Sequence, residues 1–368
     1  MSVNAVQSVL SSVRSLLPTI AAAAAEVDQR GAVDARVITD LHEAGYFSLL
    51  QPAEFGGIQA DPDDYLTVTR ELSSACLSTG WLAGWLGVNS WGLALRDELA
   101  QQDIWGADPR ALMCSSYAPT GRIERVDGGF WLTGRWNRCI GATQASWLNA
   151  AVLRVGPDGA AQDFMAVLVP RTDYVVERKW NGLGLRGISA DDIVAKGAFV
   201  PDYRAFSWLQ SQLPGDLAAL YRLPQPTLYT LAGTIPLLGA AQRLLAEQLS
   251  APTEALSAVA MAETDIELSV LQIRRNVASL MDSLVGQGFP ATDVILRNRR
   301  DQVMASERAF RAIRTVVHNP GPGVDEVLLD RVWRDAQTAR MHVSSNVAQV
   351  LTVVGRFAMG LAVDDLIW

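Results

Sequence analysis

The sequence is poor in cysteine and histidine, with three of each among its 368 residues. Cys76, Cys114 and Cys139 are odd in number and lack the spacing of metal ligands. Such a pattern indicates neither a disulfide framework nor a zinc site. We therefore expect no bound metal, and we expect His42 and His318, which belong to no motif, to lie at the surface.

Long apolar runs and an excess of basic charge are also missing. No segment has the roughly eighteen uninterrupted apolar residues that a membrane span needs. The stretch 18-PTIAAAAAE-26 lacks the basic leader and the cleavage site of a signal peptide. The net charge of -8 argues against nucleic acid as a partner, because phosphate binding needs a concentrated basic surface. The sequence predicts a cytoplasmic protein with no membrane and no nucleic-acid partner.

A nicotinamide-binding fingerprint is missing as well, although its glycines are present. The stretch 180-WNGLGLRGISADDIV-194 contains Gly-x-Gly-x-x-Gly at Gly182, Gly184 and Gly187. That motif binds a dinucleotide only where a strand enters the turn and a helix leaves it. Here the segment that follows, 191-DDIVAKGAFVP-201, is β-branched and predicts another strand. We interpret the stretch as a glycine-rich connection between strands.

Residues 1–108 have the periodicity of helices. In 33-VDARVITDLHEAG-45 the apolar residues recur three or four apart on one face, and Gly45 ends the pattern. The segment 61-DPDDYLTVTRELSSAC-76 opens with the acidic residues and the proline that favour a helix start. These patterns predict an N-terminal α-helical domain.

The period changes near Pro109, and residues 109–205 are predicted to form a central β-barrel-like domain. Short runs such as 130-FWLTGRW-136, 147-WLNAAVLRV-155 and 174-YVVERKW-180 are separated by Gly, Asp and Pro turns. This region would place several strands side by side.

Residues 206–368 are predicted to form a C-terminal helical bundle. The helical period returns after 213-LPGD-216, and 265-DIELSVLQIRRNVASLMDSLVGQG-288 carries an apolar seam. The segment 319-NPGPG-323 is a strong break before a predicted last helix. The fold class is therefore α+β, with helices, then strands, then helices.

This order of regions and several motifs resemble the acyl-CoA dehydrogenase superfamily, over essentially the whole chain. The motifs are 54-EFGG-57 after 45-GYFSLLQP-52, 128-GGFWLTGRWNRCIGATQASW-147, and 180-WNGLGLRG-187 before 199-FVP-201. The resemblance implies an acyl-CoA dehydrogenase-like fold and a flavin. It also implies a homotetramer with each flavin at a subunit boundary, and it assigns the glycine-rich stretch to a loop near flavin and substrate.

The segment 331-RVWRDAQTARMHVSSN-346 is similar to a C-terminal element of the two-component flavin monooxygenases within that superfamily. This resemblance implies that FMN or FAD arrives reduced from a separate flavin reductase, and that molecular oxygen is used on an aromatic or secondary-metabolite small molecule. It makes His342, Arg334 and Asp335 candidate catalytic residues. On one continuous helix these residues would share a broad face, although a solvated helix face would show the same spacing.

The resemblance also implies a set of flavin contacts in the β domain. These candidates are Ser115, Ser116, Trp136, Arg138, Cys139 and Gly141. In the superfamily a Ser-Gly pair follows Gly-Arg-Trp, and its hydroxyl can bond to N5 of the flavin ring. Here Cys139 and Ile140 stand where hydroxyls are expected, and a thiol is only a weak donor. The sequence therefore predicts an atypical flavin site.

Trp81, Trp85 and Asn89 follow one another four apart on a predicted helix. They could form an aromatic wall with a polar tip against the substrate. A buried stripe in the helical core would have the same spacing. Both interpretations remain open from the sequence.

Two other functions are compatible with the sequence. One is flavin-dependent oxidation of an acyl-CoA thioester, for which Glu254, Glu263 and Glu267 are possible bases. The other is a non-catalytic homologue without flavin, suggested by the missing hydroxyls. Neither rests on a motif as specific as 331–346.

Overall fold

A computed structural model describes residues 2–156, 158–207, 217–250, 254–285, 288–342, 344 and 346–363. The described helices are Ser2–Arg30 (α1), Ala35–Glu43 (α2), Pro62–Ala75 (α3), Leu77–Leu93 (α4), Glu98–Gln101 (α5), Pro226–Leu249 (α6), Leu256–Ser283 (α7), Thr292–His318 (α8), Glu326–Arg340 (α9) and Val347–Ala358 (α10). The described strands are Met113–Val126 (β1), Gly129–Cys139 (β2), Trp147–Val155 (β3), Ala161–Pro170 (β4), Val175–Glu177 (β5), Asp191–Pro201 (β6) and Ala205–Ser207 (β7).

Aspartates cap the starts of several helices. The carboxylate of Asp61 accepts a hydrogen bond from the Asp63 backbone N–H at 2.8 Å, and Pro62 occupies the first helical position of α3. Asp34 caps α2 and Asp325 caps α9 in the same way. A side-chain oxygen at this position satisfies a backbone N–H that the helix itself leaves unpaired. These caps explain why the helices begin where the sequence places acidic residues.

The strands form one mixed sheet in the order β5-β6-β2-β1-β3-β4-β7. Strand β1 runs parallel to β3 and antiparallel to β2, so it lies at the centre of the sheet. The pairing of β1 with β3 shifts register between Ser116 and Gly121. The chain thus has helical N- and C-terminal parts around a central sheet, as predicted. The division at residues 108 and 205 stays a prediction.

Helix α4 is enclosed on every side. All of its residues from Leu77 to Leu93 are buried, including three tryptophans. Its glycines allow neighbouring elements to approach closely: an added Cβ at Gly80 would lie 2.0 Å from the Ser73 hydroxyl oxygen of α3. A helix in this position carries its side chains to the interior of the molecule.

Three details differ from the sequence predictions. The strand predicted over 174–180 is only Val175–Glu177. The segment 331–346 is not one helix, because α9 ends at Arg340. Two helices follow the break at 319–323, since α10 is separate from α9. The predicted break at 213–216 lies outside the described residues.

Helix α1 is the one described helix that could cross a membrane by length and composition. The segment Asn4–Arg30 has a hydropathy of 1.3 over its most apolar window, and 28% of that window is buried. A helix packed against the core of a soluble protein passes the same test, and α1 does pack on α3. This feature is weak evidence for a membrane segment.

Gly239 allows α6 to approach the backbone of α3 closely. An added Cβ on this α6 residue would lie 2.3 Å from the Arg70 carbonyl oxygen of α3. We expect Gly239→Ala to lower the free energy of unfolding by about 1–3 kcal/mol, because backbone must move to relieve the overlap. Gly355→Ala on α10 is the control, since nothing lies within 4 Å of its added Cβ. Urea unfolding of both variants measures the difference, and equal stabilities would contradict this account of the packing.

Candidate active site

Aromatic side chains of α4 lie against His342. The His342 ring lies 5.7 Å from the Trp81 ring and 4.9 Å from the Trp85 ring, measured between centroids. Tyr229 of α6 stacks on Trp85 at 6.4 Å. We call Trp81, Trp85, Tyr229 and His342 the aromatic site. The structure therefore brings the predicted substrate residues Trp81 and Trp85 together with the predicted catalytic His342.

Tyr117 and Tyr229 were not among the residues predicted from the sequence. Tyr117 of β1 packs edge-on against Tyr229 at 5.3 Å. Its side chain is 38% exposed, so it lies at the rim of the aromatic site. Neither tyrosine belongs to a sequence motif. They meet because β1 and α6 both pack against α4. No local sequence signal could have found them.

The two indole N–H groups of the aromatic site are buried without acceptors. Trp81 is 1% exposed and Trp85 is 6% exposed, and neither Nε1 has a hydrogen-bond partner among the described residues. A buried donor without an acceptor costs about 1–3 kcal/mol. In native proteins nearly all buried donors have a hydrogen-bond partner. Two of them beside a histidine indicate a place for a ligand with acceptor atoms.

Asn89, the third predicted substrate residue, holds the sheet against α4. Its Nδ2 donates to the Met113 carbonyl oxygen at 2.8 Å, while its Oδ1 has no partner within the described ranges. Asn149 of β3 pairs in register with Ser115, and both polar atoms of its buried amide are likewise unpartnered there. The junction of α4, β1 and β3 thus offers polar atoms that a ligand could satisfy.

His342 lies just beyond the end of α9 rather than on it. Its backbone N–H donates to the Ala339 carbonyl oxygen at 3.0 Å, and its Nδ1 lies 2.8 Å from the Ser344 hydroxyl oxygen. Burial lowers the pKa of His342 to about 4, because an apolar environment disfavours the imidazolium. The ring is therefore neutral at physiological pH.

Arg334, a predicted catalytic residue, contacts the glycine-rich loop and α1. Its guanidinium donates to the Leu183 carbonyl oxygen at 3.1 Å and forms an ion pair with Asp28 at 2.7 Å. A second ion pair joins it to Asp330. The described contacts of Arg334 are therefore with this loop, with α1 and within its own helix, and none of them reaches His342. A role in the chemistry stays a prediction.

Asp335 and Thr338, which follow Arg334 on α9, bind the same loop. The Asp335 carboxylate accepts the backbone N–H of Leu185, and the Thr338 hydroxyl accepts that of Gly184 at 2.9 Å. An added Cβ on Gly184 would meet the α9 backbone at 2.1 Å, so only glycine fits there. This confirms the interpretation of the glycines as a close-packed connection between β5 and β6.

The candidate flavin contacts of β2 divide between buried and accessible positions. Trp136 is fully enclosed, and its indole N–H donates to the Ala151 carbonyl oxygen at 2.8 Å. Cys139 is also fully buried. These two side chains support the sheet, so any contribution to a flavin would come through the strand that carries them. Arg138 is exposed, and Ile140 is partly exposed.

Left-handed backbone is concentrated where two loops meet beside this strand. Arg138, Leu185 and Ser189 have φ angles of 59°, 49° and 47°, and Gly141 has a φ of 75°. The Gly141 N–H donates to the Ile188 carbonyl oxygen at 3.0 Å, which joins the two loops. Non-glycine residues in this conformation are strained, and such strain is typical of ligand sites.

Ser115 and Ser116 point to opposite faces of β1, as successive strand residues do. Ser115 lies beside Tyr117, on the face toward the aromatic site, and Ser116 lies beside Cys139 on the other face. One flat ligand cannot contact both side chains on the same side of the sheet. Of the two predicted flavin contacts, Ser115 is the one near the aromatic site.

The remaining cysteines and histidines lie away from the aromatic site. Burial raises the pKa of the thiols of all three cysteines, each of which is buried and free. His318 is exposed, as predicted. The surface prediction for His42 is wrong in part, because His42 is half-buried and lines a cavity of about 160 Å³, and burial lowers its pKa to about 4.

Comparisons with known proteins identify the family of the chain. Family models for the N-terminal and C-terminal domains of acyl-CoA dehydrogenase match residues 6–95 and 251–347. The chain is 34% identical to the oxygenase subunit HsaA of a flavin-dependent monooxygenase from Rhodococcus jostii, over 95% of this chain and 98% of that protein. It is 31% identical to the oxygenase component of an FADH2-dependent resorcinol hydroxylase from Rhizobium, over 92% and 90%.

A solved structure is similar over the whole fold. The crystal structure of 3-HSA hydroxylase from Rhodococcus sp. RHA1 matches with a TM-score of 0.92 at 32% identity, covering 98% of this chain and 99% of that one. The chain belongs to the acyl-CoA dehydrogenase family. Within that family it is an enzyme of the flavin-dependent monooxygenase branch, an oxygenase component. These findings confirm the predicted fold, enzyme class and flavin and oxygen requirement.

The buried carboxyl of Asp335 generates a pH-dependent prediction. Burial raises its pKa from 3.8 to about 7, so the neutral form favours the folded state. The stabilisation from this group is complete below pH 3.8 and is lost as the pH rises through about 7. Relative to Asp335→Asn, the natural protein should therefore lose about 1.4 kcal/mol of stability per pH unit across that window.

Urea unfolding of the two proteins at several pH values measures this difference. The contribution of His342 is common to both and cancels. Asp330→Asn, at a position whose side chain is 65% exposed, is the control and should leave the pH dependence unchanged. Parallel stability curves for Asp335→Asn and the natural protein would show that the carboxyl is ionised throughout.

Proposed function

We propose that this oxygenase component hydroxylates a phenolic ring bound in the aromatic site, with reduced flavin delivered by a separate reductase. The observation that carries the proposal is the pair of indole N–H groups of Trp81 and Trp85 beside His342, neither of which has a partner among the residues that the structure describes. A phenolic oxygen is the acceptor that these donors lack, and the indole and Tyr229 rings match the flat face of an aromatic substrate. The resorcinol hydroxylase among the relatives acts on such a ring.

The proposed roles follow the placement of the side chains. His342 is the catalytic residue, because its neutral ring contacts Trp81 and Trp85 and its Nε2 has no partner among the described residues. Trp81 and Trp85 bind and orient the substrate and exclude water from it, whereas Asn89, predicted with them, lies where the flavin would bind. Arg334 and Asp335 act as positioning residues through the glycine-rich loop. In this assignment Arg334 and Asp335 take no direct part in the reaction.

The residues present fit a flavin at the junction of α4, β1 and β3. Asn89 Oδ1 and the Asn149 amide are buried polar atoms that lack partners in the described part of the chain, and a flavin ring carries both donors and acceptors. Ser115, Arg138 and Gly141 are the further candidate contacts. Reduced FMN or FAD supplies the electrons with which dioxygen is activated. The protein provides the enclosed site that keeps this chemistry away from bulk water.

The partner, the assembly and the location of the protein are also part of what we propose. A flavin reductase is the partner, in agreement with the names of the relatives as oxygenase subunit and component. The assembly is a homotetramer, supported by an exposed apolar face on α7 that includes Leu256, Met261, Leu268 and Leu271. The protein is soluble and cytoplasmic.

Oxidation of an acyl-CoA thioester is not favoured by the structure. Glu254, Glu263 and Glu267, the possible bases, are all exposed to solvent. A base that removes a weakly acidic proton works best in an enclosed position that tunes its pKa. None of the three residues belongs to the aromatic site.

The proposal is tested with purified protein, anaerobically reduced FMN or FAD, and a series of substituted phenols. Admission of ¹⁸O2 should give a hydroxylated product that carries one labelled oxygen atom. Unlabelled product, or flavin oxidation with no product from any phenol, would reject phenol hydroxylation. Tight binding of oxidised FAD together with thioester oxidation would favour the alternative enzyme.

His342→Gln is expected to lower the yield of hydroxylated product per reduced flavin by about 100-fold, the usual size of the loss when one catalytic group is removed. Trp85→Phe keeps an aromatic ring and removes the N–H. It should raise KM about 10-fold, because one hydrogen bond to the substrate is lost. Trp131→Phe, at an indole that is 48% exposed on β2, is the control. Steady-state kinetics with the best phenol measure all three. Unchanged KM in Trp85→Phe would remove this indole from substrate binding.

A further inference from the structure

Two groups of Ser344 converge on one nitrogen of His342. The Ser344 hydroxyl oxygen lies 2.8 Å from His342 Nδ1, and the Ser344 backbone N–H donates to the same nitrogen at 3.2 Å. The other ring nitrogen, Nε2, has no partner within the described residues, and the His342 side chain is partly exposed. One edge of the ring is thus held by the protein, and the other is open to a ligand.

The backbone contact decides which nitrogen carries the proton. A backbone N–H can only donate, so Nδ1 must offer it a lone pair. A proton on Nδ1 would face the amide proton directly, in the neutral ring and in the imidazolium alike. The neutral ring must then carry its proton on Nε2. The Ser344 hydroxyl, which can rotate, donates to Nδ1 as well and strengthens this preference.

The position of Ser344 is itself fixed by α6. An added Cβ on Gly233 would lie 2.3 Å from the Ser344 hydroxyl oxygen and 3.6 Å from the Trp81 ring. The absence of a side chain at residue 233 therefore makes the room that Ser344 occupies. This packing is independent evidence that the hydroxyl is seated against α6 rather than free to turn away from His342.

We propose that Ser344 is a positioning residue that fixes His342 as the Nε2–H tautomer, so that His342 presents a hydrogen-bond donor to the aromatic site. In this tautomer Nε2 has no lone pair with which to take a proton from a phenol. His342 acts by donating a hydrogen bond to an oxygen, alongside the Trp81 and Trp85 N–H groups, and takes no proton from the phenol. The catalytic meaning rests on the proposed function, whereas the tautomer does not.

The tautomer is measured directly by solid-state ¹⁵N NMR of flavin-free protein labelled at its histidine ring nitrogens. Only three histidines contribute, and the spectrum of His342→Gln identifies the signals of His342. At neutral pH we expect an unprotonated Nδ1 and a protonated Nε2. A protonated Nδ1, in either the neutral ring or the imidazolium, would overturn the proposal.

Variants test whether Ser344 is responsible. Ser344→Ala removes the 2.8 Å hydroxyl contact that seats the ring, which leaves the ring free to turn from the longer backbone contact, so both tautomers should be present in comparable amounts. Ser344→Thr keeps the hydroxyl and should restore one tautomer. Gly233→Ala should reproduce the Ser344→Ala spectrum by displacing the hydroxyl, and Gly355→Ala, with open space around its added Cβ, should not. A single Nε2–H tautomer in both Ser344→Ala and Gly233→Ala would refute a role for the hydroxyl.

Kinetics connect the tautomer to the reaction. Ser344→Ala should lower kcat about 2-fold with KM unchanged, because about half of the molecules carry the wrong tautomer. Ser344→Thr should recover kcat. A mixed tautomer in Ser344→Ala with unaltered kcat would show that donation by Nε2 is not used. Failure of phenol hydroxylation itself is recognised separately, because the NMR result needs neither flavin nor substrate.

Discussion

The enclosure of α4 is the constraint on which the rest of the structure depends. A helix with no solvent face must meet a partner on every side, and here the partners are α3, α6 and the start of β1. Glycines along α4 and α6 let these backbones approach to distances that any side chain would prevent. The same enclosure places two indoles and an amide in the interior, where unpaired polar atoms are costly. The site is therefore a product of the packing rather than a cleft added to a finished fold.

Helix α9 and the glycine-rich loop extend this arrangement to the sheet. Three side chains of α9 hold the backbone of residues 183–185, and one of them, Arg334, joins the same region to α1. The loop in turn contacts the strained segment that follows β2. The N-terminal, central and C-terminal parts of the chain thus meet within one set of hydrogen bonds beside the aromatic site.

Much of this could be predicted from the sequence, and the failures have physical causes. The helical periods, the strand-and-turn pattern and the motif at 331–346 are local signals, and they led to the correct fold and enzyme class. The end of α9 at Arg340 carries no glycine or proline, so the sequence could not show that His342 leaves the helix. Tyr117 and Tyr229 are brought together by tertiary packing, which leaves no trace in local sequence.

The burial of the three thiols has a consequence for the lifetime of the enzyme. When reduced flavin meets oxygen without substrate, hydrogen peroxide is the by-product, and thiolates are its first targets in proteins. Cys76, Cys114 and Cys139 are at most 4% exposed, and burial raises the pKa of each thiol, so they stay protonated and out of reach. The cysteine content of this chain is thus compatible with repeated unproductive turnover.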